Sequence, residues 1–268
     1  MVKYLAFVSL LLISCHASVQ VVKSNESSNK IGLLPIEGKL FTSLYQQRAA
    51  EYKALCLQAY NIASLRLNNY QSLSSLPKAI VTDIDETVLD NSPYAVHRAL
   101  EGKEYDSQSW YAWTLKAEAD TVPGAPAFLK YASSKGVEIF YITNREERER
   151  DCTLRNLRKY GMPNADSAHL LLKSTTSGKE PRRQAVAASH EIVMLLGDNL
   201  ADFSSMFDKK TEEERTANVN ANASLFGNKF IIIPNPDYGD WEGALLKYNY
   251  KLSTGQKDSI FRTVLKGY

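Results

Sequence analysis

The sequence predicts an α/β chain: a doubly wound parallel sheet with a smaller, mainly helical cap. Three observations carry that expectation. Five short apolar or β-branched segments are bounded by turn signals, stretches of helical spacing lie between them, and an aromatic-rich insertion breaks the alternation after the first strand. The composition is that of an ordinary globular protein, 44% hydrophobic and 23% charged over 268 residues, which argues against disorder, collagen-like repeats and multi-span membrane proteins. With 32 Lys+Arg against 30 Asp+Glu the formal net charge is +2, so bulk charge does not favour a nucleic-acid polymer as partner.

The chain opens on Lys3 and a mainly apolar run, Leu5 to Ile13, too short to span a bilayer but suited to a secretory signal over residues 1–14. Leu12-Ile13-Ser14-Cys15 resembles the bacterial lipoprotein signal, in which cleavage before the cysteine is coupled to its acylation. Cys15 is then the lipidated residue, and the expectation is a protein of the cell envelope, anchored by lipid in the outer membrane of a Gram-negative bacterium. Residues 15–32, rich in Ser and Asn, read as a solvated tether.

Residues 33–75 read as N-terminal helices packing with the cap. Leu44 to Leu73 lacks Pro and Gly and places Leu44, Ala49, Tyr52, Leu55, Ala59, Ile62 and Leu65 at helical spacing, one or two amphipathic helices. The expected strands are Ala79 to Ile84, Val137 to Ile142, His169 to Leu172, Ile192 to Leu196 and Phe230 to Ile233. Helices are expected at Ala125 to Ser134, at Glu146 to Lys159, ending at Gly161, and at Pro181 to Ser189, with Pro at a first helical position. The catalytic core is therefore 76–89 with 122–268, and 90–121 is the cap insertion, containing Trp110, Tyr111 and Trp113. Ser204 to Asn228 reads as surface helix or mobile loop. Cys56 and Cys152 could pair or stay as buried thiols.

The chemistry concentrates where apolar strands run into carboxylates. In Ile80-Val-Thr-Asp-Ile-Asp-Glu-Thr-Val-Leu-Asp-Asn-Ser-Pro-Tyr94, Asp83 and Asp85 fall at a C-terminal strand end, where the chain turns and both can converge on one site. Two carboxylates so close repel unless a cation or a shared proton relieves them, which points to a hard divalent ion. A second acid-bearing strand end is Ile192-Val-Met-Leu-Leu-Gly-Asp-Asn-Leu-Ala-Asp-Phe203.

Asp83-x-Asp85-x-Thr87 resembles motif I of the haloacid dehalogenase superfamily of phosphatases. The extended run through Asp90, Asn91 and Tyr94, with the second strand end, is similar to the bacterial lipoprotein, or class C, acid phosphatases. The resemblance covers most of the chain from about Leu44 onward. It implies Asp83 as nucleophile, forming an aspartyl-phosphate, and Asp85 as general acid and then base, which suits an acidic pH optimum. Ile139-Phe-Tyr-Ile-Thr-Asn-Arg145 resembles motif II, where Thr143 binds a phosphoryl oxygen and the adjacent Asn144 could add a donor. A threonine after a strand is also an N-cap candidate for the helix that follows. Lys179 matches the motif III lysine that offsets phosphoryl charge, with Lys173 as competitor. Asp198 would hold Mg²⁺ with the Asp83 carboxylate and the Asp85 backbone carbonyl, supported by Asp202 and Asn199.

The resemblance further implies a Mg-dependent phosphomonoesterase preferring 5′-nucleotides, including nicotinamide mononucleotide, whose base would stack between Trp110 and Tyr238. The family includes dimers, so a homodimer is an expectation. The alternatives are a phosphotransferase of the same fold and a non-catalytic surface-binding lipoprotein, which would have damaged motifs.

Overall fold

The computed structural model describes residues 32–72 and 74–268. The expected signal, Cys15 and the tether up to Ile31 lie outside the described residues. In chain order the elements are α1 (Leu34–Arg48), α2 (Ala50–Asn68), β1 (Lys78–Thr82), β2 (Leu89–Asp90), α3 (Ser92–Leu100), α4 (Ser107–Thr114), β3 (Asp120–Thr121), α5 (Ala125–Ser134) and β4 (Glu138–Ile142). There follow α6 (Arg150–Lys159), β5 (Leu170–Leu171), α7 (Glu180–Ala187), β6 (Glu191–Gly197), α8 (Glu212–Ala221), β7 (Phe230–Ile232), α9 (Asp240–Leu245) and α10 (Thr254–Val264).

The sheet runs β5-β4-β1-β6-β7, parallel throughout, with β1 in the centre. Strand alternation divides the apolar side chains between two layers. Ile80, Ile139, Tyr141, Met194 and Leu196 face α2, α5 and α6, where Tyr52, Cys56, Tyr60, Phe128, Leu129, Leu154 and Leu157 meet them. Ala79, Val81, Phe140, Ile142 and Leu195 face the other way, onto Val186 of α7 and the rings of Phe203, Phe207 and Phe230. A sheet covered on both faces explains why its strands are apolar runs without polar alternation. This is the haloacid dehalogenase-like α/β fold that the motifs imply.

β2 and β3 pair antiparallel, Leu89 with Thr121 and Asp90 with Asp120, so the excursion that carries α3 and α4 leaves and re-enters the core at one place. α1 lies beside α3, where Gln46 donates to Asp90 Oδ1 (2.8 Å) and Gln47 to Ser92 Oγ (2.9 Å).

Two expectations are narrowed and one is corrected. α1 starts at Leu34, with Pro35 in its first turn, ten residues before the apolar periodicity becomes legible, and the two helices divide at Ala49, whose extended backbone (φ −81°, ψ 126°) needs neither Pro nor Gly. α2 packs mainly on the core rather than on the cap: Tyr52, Cys56, Tyr60, Ala63 and Leu67 form a buried stripe against the sheet, and Tyr60 lies 5.8 Å from Phe128, ring centre to ring centre. Of the two readings of Ser204 to Asn228, the helix holds: the stretch is built around α8, started by a Thr211–Glu214 capping box. Cys56 and Cys152 are both buried free thiols.

Candidate active site

Parallel strands deliver their C-terminal ends to one rim, and every acid of the site follows such an end. Asp83 comes directly after β1, its N–H bonded to Leu196 O of β6 (3.0 Å). Asp198 comes directly after β6, and Thr143 directly after β4. Because β4, β1 and β6 are neighbours, residues sixty and more positions apart converge without any long loop having to order itself.

At the centre Lys179, the residue before α7, places Nζ 2.5 Å from Asp83 Oδ1 and 2.6 Å from Asp202 Oδ1. Carboxylate oxygens of Asp83, Asp198 and Asp202 lie within 4.8 Å of one another. Asp198 is further held by Thr87 Oγ1 on Oδ1 (3.0 Å) and Asn235 Nδ2 on Oδ2 (2.8 Å). Both oxygens of Asp202 are engaged, Oδ1 by Lys179 and Oδ2 by the Asn199 N–H (2.9 Å), within a capping box that Asn199 and Asp202 form together. A Cβ on Gly197 would lie 2.3 Å from that of Asp202, so the close approach of strand and loop requires glycine there.

The electrostatics of the cluster are those of too little positive charge in too little water. Burial pushes Asp83 up to about 7, with Asp202 and Asp85 adding to it and Lys179 opposing it. Burial, then Asp202 and Asp83, hold Asp198 well above the carboxylate range. Burial alone would lower Lys179, but Asp202 and Asp83 outweigh it and keep the ammonium charged. With all three carboxylates ionised against the one ammonium, an excess of two negative charges faces the site. An all-oxygen donor set with that charge fits a hard divalent cation, and the carboxylates that could hold it are Asp83, which Lys179 bonds through Oδ1, and Asp198, which is bonded by a neutral hydroxyl and a neutral amide.

Asp85 sits on the other side of the turn. Its Oδ1 accepts from Arg145 Nη2 (2.7 Å), Arg145 Nε (3.1 Å) and Asn91 Nδ2 (2.9 Å), while Oδ2 has only the longer contacts from Arg145 Nε (3.2 Å) and the Thr143 hydroxyl (3.4 Å). Burial would lower Arg145, but the Asp85 charge raises it. Arg145 is thus the principal partner of Asp85. Trp113 Nε1 donates to Asn91 Oδ1 (2.8 Å), tying the insertion to the same carboxylate.

The partners of the remaining expected residues are as follows. Asn144 is exposed and its Oδ1 accepts from Arg182 Nη2 (2.8 Å), while Arg182 Nη1 donates to Thr143 O (2.5 Å). Thr143 is not the N-cap of the next helix: its Oγ1 accepts from the Arg145 N–H (3.1 Å), and a Glu146–Glu149 capping box opens a short 3-10 turn that leads into α6 at Arg150. Lys173, the competitor of Lys179, pairs with Glu146 (3.2 Å) instead. Trp110 packs edge-on against Tyr94 (5.1 Å) with the Arg145 guanidinium 5.7 Å from its ring, and Tyr238 gives its hydroxyl to Glu86. Among the described residues no ring contact joins Trp110 to Tyr238. Asn91, Asn235, Glu86 and Arg182 were missed as site residues. Their only signal is proximity in sequence to an acid or to the lysine, which does not say what they face.

A parallel sheet with carboxylates of this kind at its rim, a buried lysine between two of them and a helical insertion beside them defines a phosphatase of the haloacid dehalogenase superfamily. Comparison with known proteins places it more narrowly: residues 9–241 match the family described as HAD superfamily, subfamily IIIB (Acid phosphatase), and the chain belongs to that family. It is 45% identical to the class C acid phosphatase of Bacillus anthracis, whose structure superposes with a TM-score of 0.84 over 87% of this chain and 99% of that one. The tungstate-bound crystal structure of the same enzyme gives the same score and identity over 98% of its chain. A curated relative, acid phosphatase 1 of Solanum lycopersicum, is 28% identical over 130 residues, 46% of this chain, and this chain spans about half the length of that enzyme.

Proposed function

We propose that the protein hydrolyses phosphomonoesters, 5′-nucleotides including nicotinamide mononucleotide among them, through an aspartyl-phosphate on Asp83, with Mg²⁺ as cofactor. The observation that carries this reading is the position of Asp83 between Lys179 and the Asp198 carboxylate, two residues from an acid held by a different partner.

An Asp83 oxygen attacks phosphorus while the bond from phosphorus to the ester oxygen breaks, and Asp85 gives its proton to that departing oxygen. Oδ2 is the Asp85 oxygen suited to carry the proton, because its hydrogen bonds are the long ones. Water then attacks phosphorus of the aspartyl-phosphate, Asp85 takes the water proton, and Asp83 leaves as carboxylate with inorganic phosphate. Lys179 and Thr143 are placed to stabilise the phosphoryl oxygens. Mg²⁺, held by the carboxylates of Asp83 and Asp198 and the Asp85 carbonyl, would supply charge neutralisation and orientation. The Bacillus anthracis enzyme binds tungstate, a tetrahedral oxyanion like phosphate, which supports an oxyanion site here. Trp110 and Tyr238 are proposed to flank the base, Cys15 to carry the lipid anchor in the cell envelope, and the protein to form a homodimer.

The test is phosphate release at about pH 5–7 from nucleotide monophosphates and simple esters, after chelation and again with Mg²⁺ restored. Release that needs the metal and is lost in Asp83→Asn and Asp198→Asn supports the reading, as does a rise in melting temperature with Mg²⁺ that Asp198→Asn lacks. No release from any ester, or transfer to an added alcohol in preference to water, overturns it.

A further inference from the structure

We infer that Glu86 is a positioning residue for the substrate: its carboxyl ties the loop carrying Asp83 and Asp85 to the loop carrying Tyr238, and so sets where the Tyr238 ring stands at the rim. The inference rests on the phosphomonoesterase reading and adds to it a residue that touches neither phosphate nor metal.

Glu86 is 2% exposed and has a left-handed backbone (φ 59°), a conformation that non-glycine residues adopt rarely and keep only where their surroundings over-determine it. Its main-chain N–H donates to Leu89 O (2.8 Å), Oε1 accepts the Asn91 N–H (2.8 Å), and Oε2 accepts the Tyr238 hydroxyl. The turn sends two adjacent acids to different partners, Asp85 to Arg145 and Glu86 to Tyr238, while Asn91 touches both, its side chain on Asp85 and its backbone on Glu86. A buried acid beside Asp85 is an expensive brace, and burial with the Asp85 charge holds Glu86 well above its ordinary range. Its two acceptor oxygens are both used.

The Tyr238 loop is pinned elsewhere by other means. Asn235 accepts from the Asp237 N–H (2.9 Å) and donates to Asp198 (2.8 Å). From outside, Lys39 and Thr42 of α1 bond the Asp237 carbonyl (2.7 Å) and carboxylate (2.9 Å). Gly239 follows with φ 152°, a backbone that favours glycine. These pins fix the backbone but leave the ring free to swing. The Glu86 bond is the one that fixes the end of the Tyr238 side chain, which is only half-buried.

The experiment compares kcat and KM for adenosine 5′-monophosphate and for methyl phosphate in wild type, Tyr238→Phe, Glu86→Ala, Glu86→Gln and the Glu86→Ala/Tyr238→Phe double variant. Positioning predicts that Tyr238→Phe and Glu86→Ala each raise KM for the nucleotide at least about fivefold more than KM for methyl phosphate. Glu86→Gln, which can still bond both partners, recovers most of that loss, and the double variant is no worse than either single one, because both remove the same contact. Equal changes on the two esters, or losses that multiply in the double variant, overturn the inference. Should Glu86→Ala fail to fold, Tyr238→Phe decides alone, since it deletes one hydroxyl. A wild type inert on both esters would instead overturn the phosphomonoesterase reading itself.

Discussion

Arg145 closes on Asp85 as a fork, with Nη2 2.7 Å from Oδ1 and Nε 3.1 and 3.2 Å from the two carboxylate oxygens, and its side chain is 1% exposed. The third guanidinium nitrogen donates to Thr153 Oγ1 (3.1 Å) on α6, so the arginine is fixed before the carboxylate meets it. Asp85 is therefore aimed by a group that cannot itself give up a proton.

Replacing Arg145 by Met removes the fork and leaves an acid in a poorly hydrated site. Breaking a buried ion pair costs about 3–5 kcal/mol, so urea unfolding should show a loss of that order, and turnover should fall about 10²-fold as Asp85 loses its aim. Arg145→Lys should recover little of either, because a single ammonium cannot bond both the carboxylate and Thr153. A stable, fully active Arg145→Met protein would refute the assignment.

Gly197→Ala tests the close approach of β6 to its own loop. The added methyl would meet Asp202 Cβ at 2.3 Å, and Asp202 holds both Lys179 and the Asn199 N–H, so it cannot yield without releasing the lysine. Overpacking of this kind costs about 1–3 kcal/mol. The expected result is a lower melting temperature together with a kcat loss larger than the stability loss explains, and wild-type kinetics would count against it.

At the opposite end of the sheet, His169 bonds Asp166 Oδ1 (2.8 Å) and Glu138 Oε2 (3.1 Å), and His190 lies 3.4 Å from the same Glu138 oxygen. Burial lowers the His169 pKa, but the two carboxylates outweigh it and hold it above its ordinary value, while the same bonds hold Glu138 below its own. A raised histidine contributes stability that is full below its unfolded pKa, about 6.5, and is lost as pH rises through the higher folded value. The lowered carboxylates contribute above about 4 and lose it as pH falls through their folded values. The gap in urea midpoint between wild type and His169→Leu should therefore be widest near pH 5–6 and shrink by pH 9. A gap independent of pH would show that the ion pairs add nothing.

Much of the fold was legible because parallel strands buried on both faces have to be apolar along their length. All five sheet strands lie where short apolar runs meet turn signals, and α5 spans Ala125–Ser134 as read. The N-terminal helices were less legible. The buried stripe of α2 uses Tyr60 and Ala63 beside exposed Leu55 and Leu65, so hydrophobicity alone points to the wrong face. Of the expected site residues, Asp83, Asp85, Thr143, Lys179, Asp198 and Asp202 meet at one rim, whereas Asn144 turns outward to Arg182.

By itself the sequence determined the strand ends, the acids that follow them and the lysine before α7, because these are local properties of composition and spacing. Only the tertiary structure decided which acid meets which cation, since Lys179 to Asp83 and Arg145 to Asp85 are contacts across the sheet between residues 96 and 60 positions apart. Adjacent acids such as Asp85 and Glu86 look alike in sequence. A left-handed turn sends them to different partners, and it is the packing of neighbouring strands and loops that makes one face an arginine and the other a tyrosine.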